Sequence, residues 1–361
     1  DSLRQNKLEA AEDFSRKLIH LSGVTLDDRL LRLTILQRLS ATGAVQAVTL
    51  KNSNGPEFEN FLTAVQAQSI SNSTAIYSVC QWMGSHGMAS QALDWVSALD
   101  RSTRATQPVP LAVANLYVAK NDSAALQSFL ERENWNDLEF FRLALLARSE
   151  WGRNERASGD ARWASALRSA GDRLGALIVM TGLADEWGRD PEDILWQIAR
   201  RFPAEHWALE QLEDRYTASA NTRGLNLVYA SRLAERRLPL DFTNRNNFAS
   251  SSLLLGVNLP EAHSIARELY LVRSNDVVIA STYAYSLHLL GKTRDGLNVL
   301  ARFKPEQLET PAIALYYGTL LCATGDGQQA RPYLHAAAKA RLLPEETQLL
   351  QAAIKSEQAR R

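Results

Sequence analysis

The stretch Tyr283-Ala284-Tyr285-Ser286-Leu287-His288-Leu289-Leu290-Gly291 is followed 34 positions later by Tyr317-Gly318-Thr319-Leu320-Leu321-Cys322-Ala323-Thr324-Gly325. A tyrosine, a small residue, a leucine and a glycine return in the same places, and self-similarity at such a period marks stacked helical units. Read outward, the register extends to three copies. Small residues fall at Ser250, Ala284 and Gly318, leucines at Leu253, Leu287 and Leu321, and small residues again at Ala262, Gly296 and Ala330. Apolar columns follow at Ala266, Leu300 and Leu334, then at Leu269, Phe303 and Ala337.

The sizes in these columns have a physical reason. Where two helix backbones cross closely a large side chain would wedge them apart, so small residues sit there, and the leucines fill the layer between. Gly291 and Gly325 end the first helix of each pair in the left-handed conformation that glycine adopts cheaply. The same spacing appears upstream at Cys80, Met83, Gly87, Ala92, Val96 and Leu99, next at Ala114, Tyr117, Asn121, Leu126 and Leu130, and again at Ala164, Leu167, Gly171, Ala176, Met180 and Leu183. One pair cannot bury both of its faces, so neighbours stack and complete the core.

Elsewhere, segments of helical period lie between turn signals, and no alternating run of strand type occurs. Prolines mark helix starts at Pro191, Pro260, Pro311 and Pro344. The steps from Ala114 to Ala164 and from Ala164 to Ser250 are not multiples of the repeat, which calls for extra helices near 136–151 and within 191–236. The first 70 residues read as helices over 2–21, 26–40, 44–50 and 57–69, and a solvating cap is expected over 345–360. The polar stretch Gly152-Arg153-Asn154-Glu155-Arg156 gives an expected boundary near 155, between an N-terminal array over 1–155 and a C-terminal one over 156–361, unless the two form one continuous solenoid.

The charge is balanced, 40 basic against 40 acidic residues, so no global field draws nucleic acid or an anionic membrane. Cys80 and Cys322 lie in apolar helical patterns and read as small buried hydrophobes rather than a disulfide or metal pair. Apolar runs fall short of the roughly 18 residues that span a bilayer. The chain begins Asp1-Ser2-Leu3 and favours arginine over lysine, in the manner of GC-rich bacterial genomes. The extracytoplasmic part of an anchored or secreted bacterial protein fits that start, as does a simple piece boundary.

Signals of chemistry are sparse. Gly291-Lys292-Thr293 resembles the end of a phosphate loop, but Ser286 stands where a glycine is needed and the preceding residues are helical. The six histidines show no metal-ligand spacing, and nucleophile-elbow and dinucleotide fingerprints are missing. The eight tryptophans lie mostly on apolar faces and read as wedges between helices. No catalytic residue, metal site or cofactor is expected.

The two C-terminal copies, with those at Cys80, Ala114 and Ala164, resemble the tetratricopeptide repeat family. Ile76, Ala280 and Ala314 replace the tryptophan usual there, and the closing proline is displaced to Pro305 or Pro311, so the repeats are divergent. The resemblance implies an all-α fold, a right-handed α-α superhelix of antiparallel helix pairs, whose first helices line a concave surface. It places Asn247, Ser251, Ser281, Tyr285, His288, Tyr316 and Thr319 on that surface, and upstream Tyr77, Ser78, Gln81, Arg162, Ser165 and Arg168. A terminal-carboxylate clamp of the lysine type is not expected, because Asn247, Ser251, Thr282, Ala312 and Tyr316 hold its places. The function implied is a non-catalytic protein-interaction scaffold binding a peptide or protein partner. The alternatives are a helical-repeat nucleic-acid binder and a catalytic helical domain.

Overall fold

A computed structural model describes residues 8–41, 55–234 and 241–359. Several helices begin where a short polar side chain satisfies the first free amides: Asn72 accepts from Ala75, Asp122 from Ala125, Asp241 from Asn244 and Asp276 from Ile279. The turns within pairs take a positive φ at Gly87, Asn121, Gly291 and Gly325, four of the turn positions marked by the repeat. Among the described residues every regular element is helical, and the chain divides into two compact units, Asp1–Ala176 and Leu177–Arg361.

The first unit holds α1 (Leu8–Leu18), α2 (Leu26–Ala41), α3 (Gly55–Ser69), α4 (Ser73–Ser85), α5 (Ala89–Ser97), α6 (Arg101–Ala105), α7 (Val109–Ala119), α8 (Ser123–Leu130), α9 (Glu139–Gly152), α10 (Arg156–Ala170) and the start of α11 (Leu174–Glu186). The repeats at Cys80 and Ala114 are the pairs α4/α5 and α7/α8. Their core is built on Ile76, Val79, Cys80, Met83, Ala92, Val96 and Leu116, backed by Leu33, Leu62 and Val65 from the helices before them. Burial pushes the Cys80 thiol up to about 12, so it is an inert hydrophobe.

The helix expected near 136–151 is present as a short 3-10 turn, Asn136–Leu138, followed by α9. It packs closely on α10, where Gly159 admits the Trp151 ring; a Cβ on Gly159 would stand 2.3 Å from that ring. The polar stretch Gly152 to Arg156 is the turn between these two helices, inside the first unit. Trp82, Trp135 and Trp163 are buried and the other five tryptophans half-buried, consistent with wedges rather than an exposed stacking platform.

The second unit continues with α12 (Glu192–Arg201), α13 (Trp207–Ala218), α14 (Thr222–Ala234), α15 (Phe242–Leu255), α16 (Leu259–Val272), α17 (Val277–Leu289), α18 (Thr293–Leu300), α19 (Pro305–Leu308), α20 (Pro311–Thr324), α21 (Gly327–Ala337) and α22 (Pro344–Gln358). The three C-terminal repeats are α15/α16, α17/α18 and α20/α21, and the displaced prolines Pro305 and Pro311 open α19 and α20. The small columns work as crossings: Gly296 lies against the Ala284 carbonyl and Gly318 against Leu334. Leu350 and Ala353 of α22 close the core left open by α20 and α21, as a cap should. The helix expected over 44–50 lies outside the described residues.

Candidate functional site

The residues expected on the inward surface of the second unit divide by what they touch. The Tyr285 and Tyr316 rings pack at 4.8 Å between centroids, with the His288 ring 6.1 Å from Tyr285. Ser251 turns toward α14, where its hydroxyl donates to the Asn247 carbonyl at 2.7 Å and accepts from the Asn226 amide at 2.9 Å. Asn247 bonds the Tyr229 side chain. Ser281 and Thr319 donate to carbonyls of their own helices, at Val278 and Leu315. The structure thus brings Tyr285, Tyr316 and His288 together and disperses the rest. Ser251, Ser281, Tyr285, Tyr316 and Thr319 are buried, while Asn247 and His288 are half-buried.

The start of α22 and the residues before it bond across the unit, and one of them reaches Tyr316. The side chain of Arg341 donates to the Ala218 carbonyl, and Thr222 donates to the Glu345 carboxylate. Tyr316, whose hydroxyl lies 3.3 Å from Ser250, donates to Glu346. Glu346 also accepts from the Leu343 amide at 2.9 Å, closing the first turn of α22. Burial raises the pKa of Tyr285 and of Tyr316 above the usual phenol range and lowers that of His288.

Burial likewise raises the Glu346 carboxyl, with Glu345 adding repulsion and the Leu343 amide and Tyr316 hydroxyl opposing. A group whose folded pKa exceeds its unfolded one contributes its full stability below the unfolded value and loses it as pH rises through the folded one. At neutral pH the chain therefore carries a partly desolvated carboxylate that glutamine would replace without charge. Glu346→Gln should raise the melting temperature at pH 7 by roughly 2–4 °C, equivalent to about 1 kcal/mol, with the gain vanishing near pH 4. Thermal melts across pH check this; an equal gain at both ends would remove the carboxylate as its cause.

The first unit presents a different surface. Between α4 and α7 lies an open cleft of about 470 Å³, lined by Gln81, Trp82, Gly84, Ser85, Asn115 and Ala119. Its indole is fixed from behind: Trp82 Nε1 donates to Thr34 at 2.9 Å and its ring stacks on His86 at 4.3 Å. Gln81 donates to the Tyr77 hydroxyl at 2.8 Å, which leaves its carbonyl oxygen available. The Asn115 amide has no partner among the described residues. Such a pair of side-chain amides can donate and accept at once, as a peptide backbone requires.

Of the upstream residues named from sequence, Gln81 lines this cleft and Tyr77 holds Gln81. Arg162 instead pairs with the buried Glu150 at 3.1 Å, and Arg168 donates to Ser165. Asn115 and Ser85 carry no mark of their own in the sequence and Trp82 reads there as a wedge between helices, although Asn115 stands 34 positions after Gln81 and the period itself points to it. A second cleft, about 560 Å³ beside Tyr216 and Arg215 in the second unit, has its polar groups engaged: Tyr216 donates to Glu192 at 2.7 Å, and Arg215 pairs with Asp185. Among the described residues no three histidine, cysteine or acidic side chains converge as metal ligands, and no helix is long and apolar enough to cross a membrane.

The left-handed turns recur 34 positions apart, from Gly87 to Asn121 and from Gly291 to Gly325, each joining two packed helices. The fold is tetratricopeptide-like. No family model matches the chain, and no curated protein matches it. Among solved structures the chain is similar to a tetratricopeptide repeat protein from Parabacteroides merdae, at 17% identity over 68% of this chain and 97% of that one, with a TM-score of 0.33. It is also similar to the Cut9-Hcn1 hetero-tetramer of the APC/C, at 14% identity over 100% and 77% with a TM-score of 0.28. Yeast Tom70 matches at 11% identity over 99% and 87%, with a TM-score of 0.29. In this tetratricopeptide-like array an open cleft thus lies between α4 and α7, whereas Tyr285 of α17 and Tyr316 of α20 are buried against each other, with Glu346 of α22 on Tyr316.

Proposed function

We propose that this chain is a non-catalytic scaffold that holds an extended segment of a partner protein, seated in the cleft between α4 and α7. The observation that carries the reading is the unpaired Asn115 amide, which shares an open cleft with Gln81, its counterpart in the preceding repeat. An extended backbone offers one donor and one acceptor per residue, and amide side chains match both without choosing a sequence. Trp82, Gly84 and Ala119 supply apolar floor for side chains of the bound segment. The inward residues of the second unit, Asn247, Ser251, Ser281, Tyr285, His288, Tyr316 and Thr319, are proposed as a further partner surface that requires α22 to give way.

The charge arrangement supports a protein partner over nucleic acid. Arg142, Arg162, Arg232, Arg245 and Arg331 each pair with a carboxylate, so their charge is spent locally rather than gathered into a stripe. A displayed library of random 12-residue peptides selected on the whole chain, followed by fluorescence anisotropy of the winners, tests the reading. Asn115→Leu and Gln81→Leu should each weaken binding roughly tenfold, the loss of about one hydrogen bond with an unmatched partner group. Selected peptides that bind both variants as tightly as the parent would sink the assignment of the cleft.

A further inference from the structure

The first turn of α22 does something a cap does not need. The apolar anchorage of this helix, Leu350 and Ala353 against α20 and α21, lies from its middle onward. Leu342, just before the helix, packs on the same core, whereas Arg341 and the first turn reach across the unit by polar contacts. Arg341 bonds the last turn of α13 and Glu345 bonds the first residue of α14, each spanning 123 positions of sequence. Glu346 is drawn in under the Tyr316 hydroxyl. Two consecutive carboxyl groups are thus received by two hydroxyl donors from different helices, Thr222 and Tyr316. Desolvating carboxylates is unfavourable, and in this turn only the half-buried Leu343 offsets it, so the closure is the part of α22 most readily exchanged for a competitor.

We infer that the turn Leu343-Pro344-Glu345-Glu346 is an internal occupant, and that Thr222 and Tyr316 form a seat for two consecutive acidic residues at the start of a helix in a partner protein. The inference rests on the scaffold reading and adds the partner's chemistry and a latch. Arg341 holds the occupant in place; the partner's acidic turn displaces it, and α22 from its middle onward stays docked on its apolar anchor. Exchange uncovers Tyr285 and Tyr316, so engagement of this seat extends the partner surface along α17 and α20.

The test uses the whole chain, a latch variant Arg341→Ala, and a release variant Arg341→Ala/Glu345→Ala/Glu346→Ala. The probe is a labelled synthetic peptide copying residues 339–358, beside a copy in which both glutamates are alanine. The release variant should bind the acidic peptide at least tenfold more tightly than the parent chain, the latch variant should fall between, and the alanine copy should lose at least tenfold. Thr222→Val placed in the release variant should abolish the gain. Amide exchange over 311–319 should rise on release and fall again with peptide. Equal binding of the two peptides, or of parent and release variants, overturns the proposal. If the release variant melts as an unfolded chain, the latch variant alone decides, since its gain must still depend on Thr222. A peptide selected on the cleft of α4 and α7 serves as a separate readout: retained binding there leaves the scaffold reading standing when the seat fails, and its loss counts against the cleft alone.

Discussion

Replacing Gly296 by valine should lower the stability of the chain by about 3 kcal/mol, equivalent to a fall in melting temperature of roughly 6–12 °C for a unit of this size. Gly296 lies on α18 where it crosses α17, and a Cβ there would stand 2.6 Å from the Ala284 carbonyl oxygen and 2.8 Å from Leu320. The obstacle at Ala284 is backbone, which cannot rotate away as a side-chain tip would. The helices must separate, and every apolar contact in that layer weakens with them. The control is Gly182→Ala in α11, where the added methyl meets nothing within 4 Å. That exchange should stabilise by up to about 1 kcal/mol, because alanine loses less backbone entropy than glycine in a helix. Two glycine substitutions of opposite sign, read by thermal or denaturant unfolding, separate the packing requirement from helix propensity.

Met83→Ala should cost about 2–5 kcal/mol, the range for truncating a fully buried long side chain. Met83 is completely buried among Ile76, Val79 and Cys80 of its own helix and the facing residues of α3 and α7, and its sulfur accepts from the Gln66 amide at 3.5 Å. The surroundings belong to several helices and cannot all collapse into the space vacated. Ser85→Ala, only two positions away, should change stability by less than about 0.5 kcal/mol, because Ser85 is exposed and donates to the Trp82 carbonyl of its own helix. Denaturant midpoints of the two variants therefore test which side of α4 is core and which side is open.

The array was legible in the sequence because its constraints are local and periodic. The columns at Ser250, Ala284 and Gly318 report helix crossings, and Gly291 and Gly325 report turns, at positions the structure occupies in that way. The pairing of α9 with α10 was hidden, since the insertion breaks the period and the fit of Trp151 against Gly159 depends on two residues that carry no periodic mark. The burial of Tyr285 and Tyr316 was hidden for a different reason. A period places them on one helix face but says nothing about what packs over it, and the contacts of Tyr316 with Ser250 and Glu346 come from outside its own repeat. Asn115 could have been found by stepping one repeat from Gln81, a use of the period for surface rather than core positions.

The claim that the cleft between α4 and α7 is the seat for an extended partner segment is tested most directly by hydrogen exchange with mass spectrometry on the whole chain, with and without a selected peptide. The account predicts protection concentrated in residues 77–85 and 111–119 and lost in Asn115→Leu. Protection elsewhere that survives Asn115→Leu would contradict it.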